Sequence, residues 1–231
     1  MNDETHRSVW DLGDISTQWS QLGDTNVFVL RYVRAIENYL NRLIGNEDEA
    51  NEVLQTFLVR VLEKGFEHAD PDRGRFRHYL SRSVRNAART YQRGKSRSTK
   101  LEAIPESGLA ESDPLDSVWQ KEWHDCILNR ALQKLRHREQ TSSGNLGHTI
   151  IQLHIHDEAN DSAMQAQTLS SQIGREISPA AYRKQLSRAR HALAEFLVQE
   201  VAETVDSGLQ EDIRNELRDV GLWQFVEDFV D

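Results

Sequence analysis

The chain has few of the residues that mark disulfide-bonded, membrane or β-rich proteins. It contains one cysteine, Cys126, among 231 residues, which excludes an internal disulfide. It has no basic segment followed by an apolar one at its start and no apolar run of membrane-spanning length. These absences predict a protein of the reducing cytoplasm without membrane insertion. Four prolines and no long alternating strand-like run predict a mostly helical fold.

Motifs of catalysis are also missing. The sequence has no nucleophile elbow, no phosphate-binding loop, no HExxH and no DxDxDG arrangement. We therefore expect no catalytic residue, no cofactor and no enzymatic activity in this chain. The histidines and Cys126 are scattered without CxxC or HxxxH pairing, so we expect no metal site.

Positive charge is concentrated in one segment of an acidic chain. Residues 71–100 hold ten Arg or Lys against Asp72, a charge of +9, within a chain of net charge -9. The rest of the chain therefore carries -9 - 9 = -18. Such segregation is typical of a polyanion-binding surface.

The periodicity of this segment predicts a helix with two faces. The apolar face, at i, i+3, i+4 and i+7 spacing, comprises Phe76, Tyr79, Leu80, Ser83, Val84, Ala87, Ala88 and Tyr91. The opposite face comprises Arg75, His78, Arg82, Arg85, Arg89 and Arg93. A row of guanidinium groups can follow phosphates. The alternative is an ordinary solvated face, but such a face would carry Glu at i±4 from the arginines, and this one has none.

Apolar spacing predicts two helices before the basic one, over residues 26–44 and from the Asn46 cap onward. Residues 101–118 contain two prolines, five acids and no base, a linker composition. A further apolar stripe begins at Trp119, and residues 163–174 with the helix from Ser178 form a helix-turn-helix pattern. Residues 195–231 hold eleven acids against two arginines. Apolar residues at helical spacing predict a packing or partner helix there, and one role open to it is to shield the basic surfaces of the free protein.

The order of these elements resembles the extracytoplasmic-function group of bacterial RNA polymerase sigma factors, in the sigma-70 family. Ala50 to Leu80 is similar to region two of that group, and Ser178 to Val205 is similar to its region four. The resemblance implies an all-helical protein with two small domains joined by an acidic linker. We expect an N-terminal extension (1–25), a region 2-like domain of three to four helices (26–98), the linker (99–118), a region 4-like helix-turn-helix domain (119–205) and an acidic helical extension (206–231).

The resemblance also implies partners and contact residues. The outer face of the second helix would bind the clamp helices of the largest subunit of core RNA polymerase through Glu49, Glu52, Gln55 and Thr56. The second domain would lie at the polymerase flap. The basic helix and the preceding loop would read and open the promoter -10 element through Arg73, Arg75, His78, Arg82, Arg85, Asn86, Arg89 and Arg93. The second helix of the helix-turn-helix would read the -35 element through Ser178, Arg183, Lys184, Ser187 and Arg188.

The expected function is that of a promoter-specificity subunit, which binds core polymerase, recognises the -10 and -35 elements and promotes melting. Two rivals stay open. One is an autonomous helix-turn-helix repressor that never needs polymerase, and the other is a polymerase-binding adaptor without promoter recognition. Control by an anti-sigma factor, a kinase or a C-terminal extension is equally open. The promoter sequence and the inducing signal do not follow from the sequence.

Overall fold

A computed structural model describes residues 25–66, 75–96, 114–156, 161–205 and 210–230. These residues form helices joined by turns, and the predicted all-helical fold is confirmed. The elements are α1 (Thr25–Ile44), α2 (Glu47–Lys64), α3 (Phe76–Ser96), α4 (Pro114–Thr141), α5 (Gly147–His156), α6 (Ser162–Ile173), α7 (Pro179–Ala202), α8 (Gln210–Asp219) and a short 3-10 helix, Trp223–Phe225.

Local sequence signals fix several helix ends. The Asn46 side chain accepts a hydrogen bond from the Glu49 backbone N–H, 3.0 Å away, and so caps α2 as its sequence predicts. Ser178 caps α7 in the same way, with Pro179 in the first turn, where a missing N–H costs nothing. Gly174 ends α6 in the left-handed conformation (φ 66°), which glycine adopts without strain.

The first three helices pack together around the predicted apolar faces. Buried side chains come from all three helices, among them Tyr39 and Leu40 of α1, Phe57 of α2 and Leu80 of α3. Phe76, at the start of α3, is also buried and meets the ring of Phe66 edge-on at a centroid distance of 5.3 Å. The apolar face of the basic helix is therefore a core face, and aromatic burial of this kind is a large part of what holds a small helical unit together.

Helix α4 begins earlier than its sequence indicates and packs on both α1 and α7. It begins at Pro114, inside the predicted linker 99–118, and ends at Thr141. Its first half packs on α1, where Trp123 stacks on Tyr32 at 4.8 Å and 9° between ring planes. Its second half packs on α7, where Arg130 pairs with Glu200, and its Ala131 and Leu135 are buried. Linker residues 99–113 lie outside the described residues.

The C-terminal segment is a packed helix. Ile213 and Leu217 of α8 are fully buried, and α8 packs on α7. Leu222 and Val226 continue the same apolar face past Gly221, whose positive φ of 75° lets the chain reverse. Residues 210–230 therefore belong to the folded core.

Ion pairs link α7 to the helices on which it packs. Glu200, 3% exposed, accepts a hydrogen bond from Arg130 Nε at 2.6 Å and pairs with Lys134. Burial alone would raise the pKa of Glu200, but the hydrogen bonds and the positive charges of Arg130 and Lys134 together outweigh burial, so its pKa lies below the ordinary value. Glu203, one turn further, pairs with Arg31 of α1.

We predict that Glu200→Gln lowers the free energy of unfolding by about 1–3 kcal/mol at pH 7, because it removes a buried charge partner of two cations. A carboxyl whose folded pKa is depressed stabilises the fold above its unfolded pKa and loses that contribution as the pH falls through the folded pKa. The difference between the two proteins should therefore shrink below about pH 4. Urea denaturation across this pH range measures it.

Glu195→Gln is the control, because Glu195 lies one turn earlier on α7 and forms a half-exposed pair with Arg138. It should cost less than about 1 kcal/mol. An E200Q difference that stays constant down to pH 3 would contradict the assignment.

Candidate nucleic-acid interface

The exposed face of α3 carries several of the predicted -10 contacts. His78, Arg82, Asn86 and Arg93 are exposed, and Arg89 is partly buried on the same helix. Exposed residues at spacings of three and four form a single row along a helix. Arg73, the remaining predicted contact in the preceding loop, lies outside the described residues.

Arg85 is turned into the structure. Its Nε donates to the Tyr39 hydroxyl, its Nη2 pairs with Asp116 near the start of α4, and its guanidinium lies 5.9 Å from the centre of the Tyr39 ring. Burial raises the pKa of Tyr39, and the hydrogen bond from Arg85 offsets this in part. Arg85 therefore joins α1, α3 and α4, a role that its place on the polar face of the sequence does not indicate.

At the N-terminal end of α3, the acidic C-terminal helix supplies the counter-charges. Arg75, a predicted DNA contact, pairs with Asp219 and, at 3.0 Å, with Glu216. The adjacent Arg77 is 5% exposed and pairs through Nε with Glu216 Oε1 at 3.0 Å. The sequence did not indicate that Arg77, Glu216 and Asp219 form a cluster.

The environment of His78 decides its charge. Desolvation, followed by the neighbouring cations Arg77 and Arg75, lowers the pKa of His78 below its ordinary value of 6.5. The imidazole is therefore neutral at pH 7, and it can donate one N–H to a phosphate but adds no positive charge.

The predicted polymerase-binding residues lie along α2. Gln55 and Thr56 are exposed, Glu52 accepts a hydrogen bond from the Tyr91 hydroxyl at 2.9 Å, and Glu49 pairs with Lys95. Two apolar side chains also lie in the open on this helix, Val59 at 51% and Leu62 at 52% exposure. A helix in a small bundle has more apolar positions than its core can cover, so some apolar side chains stay exposed.

The helix-turn-helix elements are present as α6 and α7. The Ser170 hydroxyl accepts a hydrogen bond from the Ile177 backbone N–H at 2.8 Å and so ties the turn to α6. The five residues predicted to contact the -35 element are all exposed over the first three turns of α7 and its cap; they are Ser178, Arg183, Lys184, Ser187 and Arg188. Arg183 also donates to the Ser162 hydroxyl at 3.1 Å, which orients its side chain toward α6.

The described part of the chain holds no group of three or more His, Cys, Asp or Glu side chains arranged to bind a metal ion. Over the same residues, none of the helices combines the length and apolar composition that a membrane crossing requires. Burial raises the pKa of the Cys126 thiol to about 11, so this cysteine is protonated at neutral pH.

Residues 28–98 match the family model of sigma-70 region 2. The match spans α1 to α3 and contains all predicted -10 and polymerase contacts, whereas the predicted -35 contacts lie beyond it. Comparison with curated proteins and with solved structures gave no match. The predicted region 2-like assignment is confirmed, and both the extracytoplasmic-function subgroup and the region 4-like assignment stay predictions.

We predict different consequences for two arginines of α3. Arg85→Ala should lower the free energy of unfolding by about 1–2 kcal/mol, because it removes partners of Tyr39 and Asp116. Arg82→Ala should change it by no more than about 0.5 kcal/mol, because Arg82 is exposed. Chemical denaturation measures both free energies of unfolding. Equal destabilisation by the two substitutions would contradict the structural role of Arg85.

Proposed function

We propose that this chain is a promoter-specificity subunit of RNA polymerase of the sigma-70 family, because residues 28–98 match the model of sigma-70 region 2. It binds core polymerase through α2, contacts and opens the -10 element through α3, and reads the -35 element through α7. The protein is a reversible initiation factor and not an enzyme. The proposal rests on the match of residues 28–98 to sigma-70 region 2, because this match includes α2 and α3.

The surface of α2 supports the polymerase contact. Its exposed residues combine acids and amides with the apolar side chains Val59 and Leu62. Such a surface suits a helical partner that presents arginines and apolar residues together, since charge complementarity orients the docking and the apolar pair supplies burial.

The face of α3 supports the contact with melted DNA. Arg82 and Arg93 are exposed cations on a helix without an acid of its own, and Asn86 lies between them with donors and an acceptor for a base edge. Separated strands expose both phosphates and unpaired base edges, so a row of guanidinium and amide groups matches their chemistry.

The exposed basic start of α7 supports duplex contact. Ser178, at the helix N-terminus, suits a phosphate, and Arg183, Lys184 and Arg188 supply charge and donors to the major groove. The charge of -18 outside residues 71–100 opposes approach to DNA, so binding to polymerase is what brings both basic surfaces to the promoter.

The direct test is multi-round transcription by core RNA polymerase on genomic fragments, with and without this protein, followed by sequencing of transcript 5′ ends. We expect new start sites that share two spaced upstream motifs. Retention on polymerase without new start sites would favour the adaptor, and tight autonomous duplex binding without retention would favour the repressor.

Gln55→Arg should weaken retention on core polymerase by about tenfold, because it places a cation before arginines of the partner. Gln140→Arg is the matched control, since Gln140 is an exposed helical glutamine of α4 outside the family match. Gel filtration with core polymerase measures retention. Equal retention of both variants would rule out the α2 surface as the contact with core polymerase.

Arg82→Ala should weaken binding of the holoenzyme to promoter DNA and reduce the slope of log affinity against log salt by about 1, because one phosphate contact is lost. Permanganate reactivity of thymines at the -10 element should fall with it. Arg136→Ala, at an exposed arginine of α4, is the control and should leave slope and reactivity unchanged. An unchanged slope in R82A would exclude this contact.

A further inference from the structure

The C-terminal helix α8 makes two kinds of contact. It packs on α7, and its apolar residues Ile213 and Leu217 are buried. With α3 its contact is ionic, through Glu216 and Asp219. An apolar contact of buried side chains is durable, whereas an ionic contact exchanges when another anion is available.

The two acids of α8 differ in how they can exchange. Glu216 and Arg77 are 2% and 5% exposed, and the Arg77 carbonyl also accepts a hydrogen bond from Trp119 Nε1 at 3.0 Å. Breaking that pair would leave two buried charges that depend on the more exposed Arg75 and Asp219 alone, so it is a fixed part of the core. Asp219 and Arg75 are 48% and 32% exposed, so solvent and ligands reach them. The Asp219 carboxylate also accepts a hydrogen bond from Arg77 Nη2 at 3.3 Å.

On the basis of the function proposed above, we propose that Asp219 is an internal competitor of DNA at the N-terminal end of α3. In the free protein its carboxylate occupies the Arg75 guanidinium, and in the promoter complex a DNA phosphate takes the same place. A carboxylate and a phosphate offer guanidinium the same paired oxygens, so one can substitute for the other.

The setting of Asp219 favours this exchange. It is the last residue of α8, and its backbone carbonyl accepts a hydrogen bond from Gln120 of α4. The adjacent Val220 carbonyl lies 2.7 Å from His124 Nδ1. The main chain is therefore anchored on α4 while the carboxylate meets solvent. A change of the Asp219 side-chain rotamer thus frees one of the two carboxylate positions at Arg75, whose pair with Glu216 stays in place, without unfolding α8.

Asp219→Asn and its matched control Asp228→Asn test the proposal in the full-length protein. Both remove one negative charge from an exposed residue of the C-terminal segment, but Asp228 lies outside the cluster with Arg75. The probe is a short fluorescein-labelled single-stranded DNA at low salt, and the readout is anisotropy. We expect D219N to bind roughly two- to fivefold more tightly than D228N, the range of an exposed ion pair.

The same substitution in an Arg75→Ala background shows whether Asp219 acts through Arg75. There, D219N should differ from D228N by less than about 1.5-fold, because the guanidinium it releases is absent. Equal affinities of D219N and D228N in the otherwise unaltered protein would overturn the proposal. So would an advantage of D219N that persists in R75A.

Transcription with core polymerase separates this proposal from the function on which it rests. If the unaltered protein directs new start sites while D219N binds DNA no better than D228N, only the internal competition fails. If no start sites appear but the D219N advantage depends on Arg75, the competition with an anion stands and the initiation role fails.

Discussion

Everything else in the structure depends on the packing of α4 against two helices at once. In its first half Trp123 stacks on Tyr32 of α1, and its second half, in which Ala131 and Leu135 are buried, packs on α7. Aromatic stacking fixes rotation as well as distance. The position of Asp116 beside Arg85, and that of α8 beside the start of α3, follow from this one arrangement, because α8 is packed on α7.

The fold brings acids from distant parts of the chain next to some of the clustered arginines. The basic helix has no acid of its own, yet Arg85 pairs with Asp116, 31 residues away, and Arg75 pairs with Asp219, 144 residues away. The acids of the rest of the chain thus act as distant counter-charges at the start and in the middle of the row. Arg82 and Arg93 stay exposed between and beyond them.

Periodicity and caps predict most helices because both signals are local. The Asn46 and Ser178 caps and the core face of α3 followed from residues a few positions apart. The start of α4 did not, because an acidic, proline-containing segment has linker composition, yet Pro114 fits a first helical turn. The burial of Arg77 was not predicted, because it depends on the ion pair with Glu216. Only tertiary packing brings these two residues together, so no local sequence pattern indicates the pair.

The difference in burial between Arg77 and Arg75 explains how one end of α3 can be both structural and functional. A buried ion pair adds little net stability but is costly to break, so Arg77 with Glu216 fixes the place where α8 meets α3. Arg75, beside it, always keeps its charge and pairs with Asp219 at its exposed side. Replacing the Asp219 carboxylate by a phosphate preserves that pairing, so the exchange costs only the difference between two anions. The fixed pair thereby keeps Arg75 positioned whether the anion comes from the chain or from DNA.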